Sequence, residues 1–170
     1  MATARGFTLI ELLVAIAISS VLLGLAIPSY RSFQSGQALE QAAKTLETNL
    51  RFTQSQALGG VKNCGSGTLL GWFITQSASS YTINARCGTT LGTQRVVPLP
   101  QGVLLASNAS GRSVLFRPIT NDVVLIDLAS CTPNCVTSPL PGSPGEAILT
   151  MSSAQAGRSY EIRIRTTGDI

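Results

Sequence analysis

One carboxylate lies inside the longest apolar run of the chain. Residues 7–27 contain Glu11 as their only ionisable side chain. A helix of about 20 apolar residues spans the hydrocarbon of a bilayer, and an acid at its centre costs roughly 2.5 to 3.5 kcal/mol, less toward an end. A cationic partner would remove much of that cost. The residues therefore predict a transmembrane helix over 7–28 whose Glu11 docks against a positive charge; the alternative is a simple signal anchor whose Glu11 reaches the interface.

Side chains for catalysis are poorly represented. The chain has no histidine, which excludes Ser-His-Asp and Cys-His arrangements and histidine metal ligands. Asp122 and Asp127 flank an apolar strand at an odd spacing, so a regular strand places them on opposite faces. Gly59-Gly60 lacks the Lys-Ser/Thr that follows the glycines of a phosphate-binding loop. We expect no enzymatic activity, no metal and no cofactor.

A second helical pattern follows the apolar run. From residue 29 to residue 58 the apolar positions recur at steps of four and three, which predicts an amphipathic helix with one buried stripe. The stripe consists of Leu39, Ala43, Leu46, Leu50, Thr53 and Ala57. Gly59-Gly60 supplies a helix stop. Pro28 lacks an amide hydrogen and should bend the helix where the two segments meet.

After Gly60 the helical period disappears and short strands separated by turns are predicted. We expect strands at 69–75, 81–86, 94–97, 103–106, 113–117, 123–128, 147–151 and 159–165. Such spacing favours antiparallel sheets over a parallel wound fold. The predicted fold is therefore α+β, with a long N-terminal helix packed on antiparallel β-sheets and a β-rich globular domain over 59–170.

The N-terminal junction carries a resemblance to known proteins. The string Gly6-Phe7-Thr8-Leu9-Ile10-Glu11 resembles the class III leader junction of type IV pilins and type II secretion pseudopilins, and Pro28 lies where their helices commonly carry a proline. The resemblance implies that residues 1–6 are a leader, which a prepilin peptidase removes between Gly6 and Phe7. It also implies N-methylation of Phe7 and a contact between Glu11 and the terminal amine of a neighbouring subunit. The protein would first lie in the bacterial inner membrane as a single-pass protein with a periplasmic C-terminal domain, and then enter a filament.

Four cysteines make an even set, which in an oxidising compartment predicts two disulfides. The four are Cys64, Cys87, Cys131 and Cys135. Three pairings are possible; we favour Cys64 with Cys87 and Cys131 with Cys135, because each pair brackets a local hairpin or loop. A zinc site is the competing interpretation, disfavoured because the chain has neither histidine nor a Cys-x-x-Cys motif.

Later landmarks narrow the resemblance. Gln56-Ala57-Leu58, Lys62-Asn63-Cys64, Gly71-Trp72, Val114-Leu115-Phe116-Arg117-Pro118 and the run from Tyr160 to Gly168 resemble, in order, those of the GspH/FimT group of minor pilins and pseudopilins. This similarity implies a lollipop-shaped subunit at low copy number near the tip of a pilus or pseudopilus, with other major and minor pilins or pseudopilins as partners. A minor type IV pilin that supports pilus assembly, with DNA uptake as a further candidate role, is the favoured interpretation. A minor pseudopilin of a type II secretion system is the alternative.

Some members of that group are thought to bind DNA through a basic C-terminal Gly-Arg-x-Arg motif. Here the matching Gly168 is followed by Asp169-Ile170, so those arginines are missing. Arg163 and Arg165 should share one face of a strand, with Tyr160, Ile162 and Ile164 on the other, and Arg158 could add to them. An ordinary solvated strand face, moderated by Glu161, is the more favoured interpretation of these arginines.

Overall fold

The computed structural model describes residues 7–108, 113–120, 122–126 and 145–170, and of residues 25–29 it describes the backbone alone. One long helix, α1 (Leu9–Leu58), is followed in this part of the chain by nine strands. The strands are β1 (Leu69–Gln76), β2 (Ser80–Cys87), β3 (Thr90–Leu91), β4 (Arg95–Pro98), β5 (Val103–Ser107), β6 (Ser113–Phe116), β7 (Val123–Ile126), β8 (Glu146–Ser153) and β9 (Arg158–Arg165). All eight predicted strands are present, and the two-residue β3 is an addition.

Local capping fixes both ends of α1. The Thr8 hydroxyl accepts a hydrogen bond from the Glu11 amide at 3.3 Å, and the Glu11 carboxylate accepts one from the Thr8 amide at 3.1 Å. This capping box satisfies amides that have no partner inside the helix. At the other end Gly60 follows the last turn at φ +60°, a left-handed conformation that suits glycine. With 50 residues, α1 is about 75 Å long.

The two halves of α1 differ in their surroundings. All six residues of the predicted stripe between Leu39 and Ala57 are buried, which confirms the amphipathic helix. The first part of α1, up to Gly24, is exposed on every side. The backbone stays helical through 25–29, but the side chain of Pro28 lies outside the described residues. The predicted bend at this proline stays a prediction.

Two antiparallel sheets pack on the second half of α1. The first has the order β3-β2-β1-β6-β7, with β4 also paired to β2, and the second has the order β5-β8-β9. Alternation along β1 divides its side chains between two environments. Trp72 and Ile74 face the core beneath α1, whereas Phe73 belongs to a smaller apolar cluster on the other face of the sheet. The structure is therefore α+β, as the sequence predicts.

Close packing at the centre of the first sheet requires a glycine. The pairing of β1 with β2 is irregular between Leu69 and Gly71. A Cβ atom at Gly71 would lie 2.4 Å from the carbonyl oxygen of Phe116 on the neighbouring strand. Real Cβ atoms do not approach a backbone oxygen so closely, so this position excludes any side chain.

A disulfide ties the segment after α1 to the first sheet. Cys64 and Cys87 are bonded, with their Cα atoms 6.0 Å apart, which is the pairing that the sequence favours. The indole N–H of Trp72 donates to the carbonyl oxygen of Val61 at 2.8 Å and holds the same segment. Cys131 and Cys135 lie outside the described residues, so their predicted bond remains a prediction.

Candidate assembly site

The carboxylate of Glu11 is held in place by its own helix. Oε2 accepts hydrogen bonds from the Thr8 amide at 3.1 Å and from the Thr8 hydroxyl at 3.0 Å. Oε1 makes no hydrogen bond to any residue that the structure describes. The N-terminus of α1 also carries a partial positive charge, which attracts the Glu11 carboxylate. Glu11 is therefore an exposed, oriented carboxylate whose Oε1 is left to accept a further hydrogen bond.

Around this carboxylate lies a continuous apolar surface. Every large apolar side chain from Leu9 to Leu23 is more than half exposed. These are Leu9, Ile10, Leu12, Leu13, Val14, Ile16, Ile18, Val21, Leu22 and Leu23. Soluble monomers rarely leave so extended an apolar surface in water. This part of α1 is built to be covered by lipid or by other chains.

Phe7 stands directly before the N-cap and is 89% exposed. The residue is thus exposed at the point where the sequence predicts cleavage and methylation. Gly6, on the other side of that bond, lies outside the described residues. The structure therefore places one side of the predicted junction, and the cleavage itself stays a prediction.

Where α1 leaves the globular domain, a hollow opens beneath it. We call this hollow the collar cavity; it has a volume of about 840 Å³. It lies between α1 and two turns, one joining β4 to β5 and the other β8 to β9. Gly24, Arg31, Ser32, Gln34, Ser35, Ala38, Pro100, Gln101 and Gln155 line it. Among the lining residues that the structure describes, Arg31 alone is ionisable.

The three arginines of β9 do not form one cluster. Arg163 and Arg165 share the outer face of the strand. Because side chains alternate along a strand, Arg158 lies on the opposite face, together with Ile162 and Ile164, and this face points toward α1. There it helps to lower the pKa of Glu40, after the larger effects of the Lys44 hydrogen bond and charge. Glu40 in turn raises the pKa of Lys44, mainly through the same 2.6 Å hydrogen bond.

Acidic side chains balance the two remaining arginines. Arg163 lies 3.3 Å from the carboxylate of Glu161, and Glu146 on β8 lies directly opposite Arg165 in the strand register. The outer face of this sheet therefore has equal numbers of arginines and acids among the described residues. Phosphate binding needs an excess of positive charge, so this face offers no support for DNA binding.

A residue that the sequence did not single out stands at the opposite end of α1. Ile119 is 83% exposed, has φ +67°, and donates its amide to the carbonyl oxygen of Ala57 in the last turn of the helix at 3.4 Å. Pro118 in the sequence indicates a turn, but a β-branched residue gives no signal for a left-handed conformation. Only the structure reveals this exposed apolar side chain.

Comparison with known proteins gives one match. Residues 1–27 match the family model described as the prokaryotic N-terminal methylation motif. Neither the curated proteins nor the solved structures gave a match. The matched motif supports a type IV pilin-like protein, and it implies processing by a prepilin peptidase and assembly with other pilins.

This motif indicates the membrane-anchored precursor of a type IV pilin or pseudopilin. Among the residues that the structure describes, no helix has the length and apolarity needed to cross a membrane. The predicted span over 7–28 includes residues 25–28, whose side chains lie outside that description.

Proposed function

We propose that the protein is a minor type IV pilin of the GspH/FimT kind, which enters a pilus near its tip and supports pilus assembly. One observation carries the proposal: a projecting apolar helix bears a single oriented carboxylate, Glu11, within the residues matched by the methylation motif. Up to Gly24 this helix packs against no other element that the structure describes. It gains a packing partner when several such helices associate side by side.

Cleavage between Gly6 and Phe7 prepares this association. It creates an α-amino group on Phe7, and such a group has a pKa of about 7.7 to 8.0 and is largely cationic at neutral pH. The amine of one subunit then meets the free oxygen of Glu11 on its neighbour. A buried ion pair of this kind is costly to break because the remaining charge stays unpaired, at about 3 to 5 kcal/mol. The contact therefore selects subunits that are processed and correctly aligned.

Before assembly the protein lies in the inner membrane with its globular domain in the periplasm. The exposed apolar side chains of α1 are then covered by lipid, and in the filament they are covered by other helices. The Cys64–Cys87 disulfide suits this location, because disulfides persist in the periplasm and outside the cell.

The processing step is tested at the N-terminus. Mass spectrometry of native protein should find a chain that begins at a methylated Phe7, whereas Gly6→Leu should leave the full precursor in the inner membrane. Native material that retains Met1, or a processed Gly6→Leu protein, would contradict the assignment of prepilin peptidase as a partner.

The docking step is tested by Glu11→Ala. The variant should insert into the membrane at least as well as the wild type, because the carboxylate opposes insertion. Its amount in sheared filaments should fall at least tenfold, and the membrane fraction measured in parallel serves as the control. If the variant enters filaments as well as the wild type does, the proposed docking role of Glu11 is wrong.

A minor pseudopilin of a type II secretion system is the alternative, since it would share the leader, the helix and the fold. A deletion strain separates the two functions. Loss of piliation, motility or DNA uptake supports the pilin. Normal pili together with lost secretion of folded exoproteins supports the pseudopilin instead.

A further inference from the structure

The exposed half of α1 has a charged side chain at each end. Glu11 and Arg31 lie 20 residues apart, and no acidic or basic residue stands between them in the sequence. Their separation along the helix is about 30 Å, which is also about the thickness of the hydrocarbon core of a bilayer. When Glu11 lies at the inner boundary of that core, Arg31 therefore lies at the outer boundary, level with the phosphates of the outer leaflet.

Two exposed aromatic side chains lie at the same level of α1. Tyr30 is 67% exposed and Phe33 is 66% exposed, and residues three apart share one side of a helix. The buried Leu39 points to the opposite side, because it follows Tyr30 by about two and a half turns. Tyrosine is enriched at the membrane–water interface, and a neighbouring phenylalanine gains from burial in the same layer. This level of the helix therefore suits the boundary of a membrane.

The collar cavity opens here, and its lining suits an anion. Among the described lining residues Arg31 alone carries a charge, and the other polar side chains are hydroxyls and amides. These belong to Ser32, Gln34, Ser35, Gln101 and Gln155. A guanidinium offers parallel N–H donors to a phosphate, and hydroxyl and amide groups can donate to further oxygens. The volume of about 840 Å³ lies within the usual range for small-ligand sites, about 300 to 1,000 Å³.

Backbone hydrogen bonds hold the two turns that face α1 at this cavity. The Val103 amide donates to the carbonyl oxygen of Pro100 at 3.1 Å, and the Gly157 amide donates to that of Ser153 at 3.0 Å. Gln101 lies within the first turn and Gln155 within the second. The cavity therefore has walls that are in place before a ligand arrives, which is usual for binding sites.

We propose that the collar cavity binds the headgroup of an anionic phospholipid from the outer leaflet of the inner membrane. This inference rests on the membrane placement within the proposed function. Arg31 pairs with the phosphate, and the glutamines hydrogen-bond the rest of the headgroup. The acyl chains follow the exposed apolar side chains of α1 that precede the cavity, such as Val21 and Leu22. An anionic head with apolar chains matches both surfaces, whereas a soluble phosphate matches the cavity alone.

A headgroup bound at this point fixes the depth of α1 in the membrane. The globular domain then rests on the outer boundary, and Glu11 lies at the inner one. Subunits held in this way present Glu11 at one common depth, which aligns them with their neighbours before they associate.

The lipid that the full-length protein retains measures this contact. The protein is inserted into nanodiscs made from equal amounts of phosphatidylglycerol and phosphatidylcholine, and native mass spectrometry identifies the lipid that stays bound after release. Phosphatidylcholine carries the same phosphate with a compensating cation. The wild type should therefore retain phosphatidylglycerol in preference by about fivefold or more, the effect of one arginine near an anionic surface.

Arg31→Gln should abolish the preference without disturbing the fold, because the side chain is exposed. The matched control is Arg51→Gln, the same substitution on the same helix, about 30 Å further from the membrane boundary. Arg51 makes only an exposed ion pair with Glu47 among the described acids, and its variant should keep the preference. A preference that survives Arg31→Gln, or that Arg51→Gln removes equally, would overturn the proposal.

The double variant Gln101→Ala/Gln155→Ala separates a bound headgroup from a general attraction between Arg31 and an anionic surface. It keeps the charge but removes two amides that can hydrogen-bond the glycerol hydroxyls, which phosphatidylcholine lacks. Its preference should fall by about twofold or more. An unchanged preference would overturn the cavity as the site. Binding of soluble glycerol phosphate in detergent as tightly as the lipid would overturn the choice of a lipid.

Glu11→Ala keeps this failure distinct from failure of the proposed function. The variant should retain phosphatidylglycerol as the wild type does, because its carboxylate lies about 30 Å from the collar cavity, although it should not enter filaments. If the wild type retains the lipid selectively but is absent from filaments, the proposed pilin function fails alone. If the wild type enters filaments but retains both lipids equally, the lipid site fails alone.

Discussion

The two halves of α1 use the same kinds of apolar side chain for different purposes. Before Gly24 these side chains surround the helix and stay exposed, whereas from Leu39 to Ala57 they form one stripe and are buried against the sheets. Secondary structure is the same in both halves, so the pattern alone decides the outcome. A stripe folds the chain on itself, and an apolar surface on all sides requires lipid or other chains. Folding energy and assembly energy are therefore encoded in separate parts of one helix.

A pair of matched substitutions gives the largest expected difference between the halves. Leu46→Ala removes a side chain with no exposed surface and should lower the free energy of unfolding by about 2 to 5 kcal/mol. Leu13→Ala, in the exposed half, should leave the stability of the globular domain unchanged. Denaturant titration in detergent, followed by the fluorescence of Trp72, measures both. Equal losses would contradict the separation of folding from assembly.

Removing the Cys64–Cys87 disulfide should lower the stability of the globular domain without affecting the exposed half of α1. Cys64 and Cys87 are 23 residues apart in sequence, and closing a loop of this length stabilises a domain by about 3 kcal/mol. The double variant Cys64→Ser/Cys87→Ser should lose that amount in the same titration. Below its unfolding temperature it should still enter filaments. Loss of assembly in a folded double variant would show that the two halves are coupled.

A smaller effect should appear at high pH. Burial raises the pKa of the Tyr81 phenol, against the lowering effects of the Asn49 hydrogen bond and of Arg95. The unfolded chain therefore releases this proton first, so the contribution of Tyr81 to stability is present below about pH 10 and is lost as the pH rises above it.

Tyr81→Phe is the control for that dependence. At neutral pH it should cost about 1 to 3 kcal/mol, because the buried Asn49 amide loses the phenol oxygen that accepts its hydrogen bond at 2.6 Å. Between pH 8.5 and 10.5 its stability should fall less than that of the wild type. An equal fall in both proteins would exclude Tyr81 as the titrating group.

The sequence predicted most of the fold because its patterns were local. Heptad-like steps from Leu39 to Ala57 located the buried stripe, and alternating segments located eight strands. The pair Thr90–Leu91 is too short to show alternation, and it forms β3 because Cys87 and Arg86 on β2 lie opposite. Pairing of this kind depends on the neighbouring strand β2, and the two residues of β3 give no signal for it in the sequence.

The candidate site was predictable where it depends on residue type. Glu11 stands out as an acid in an apolar run, and the Cys64–Cys87 pair was favoured among three possible pairings because it brackets a local hairpin. The exposed side chain of Ile119 was not predictable, because it required a left-handed turn at a residue that disfavours this conformation. The face of Arg158 follows from strand alternation alone, which places it opposite Arg163 and Arg165.

Gly71 sets a limit on how this domain can diverge. A Cβ atom at this position would lie so close to the Phe116 carbonyl oxygen that even one added methyl group would push the two central strands apart. The sheet would have to open at its middle, where the side chains of Trp72 and Phe73 point to opposite faces of the sheet. In a saturation library this codon should therefore tolerate no replacement, while the solvent-facing turns around it accept many.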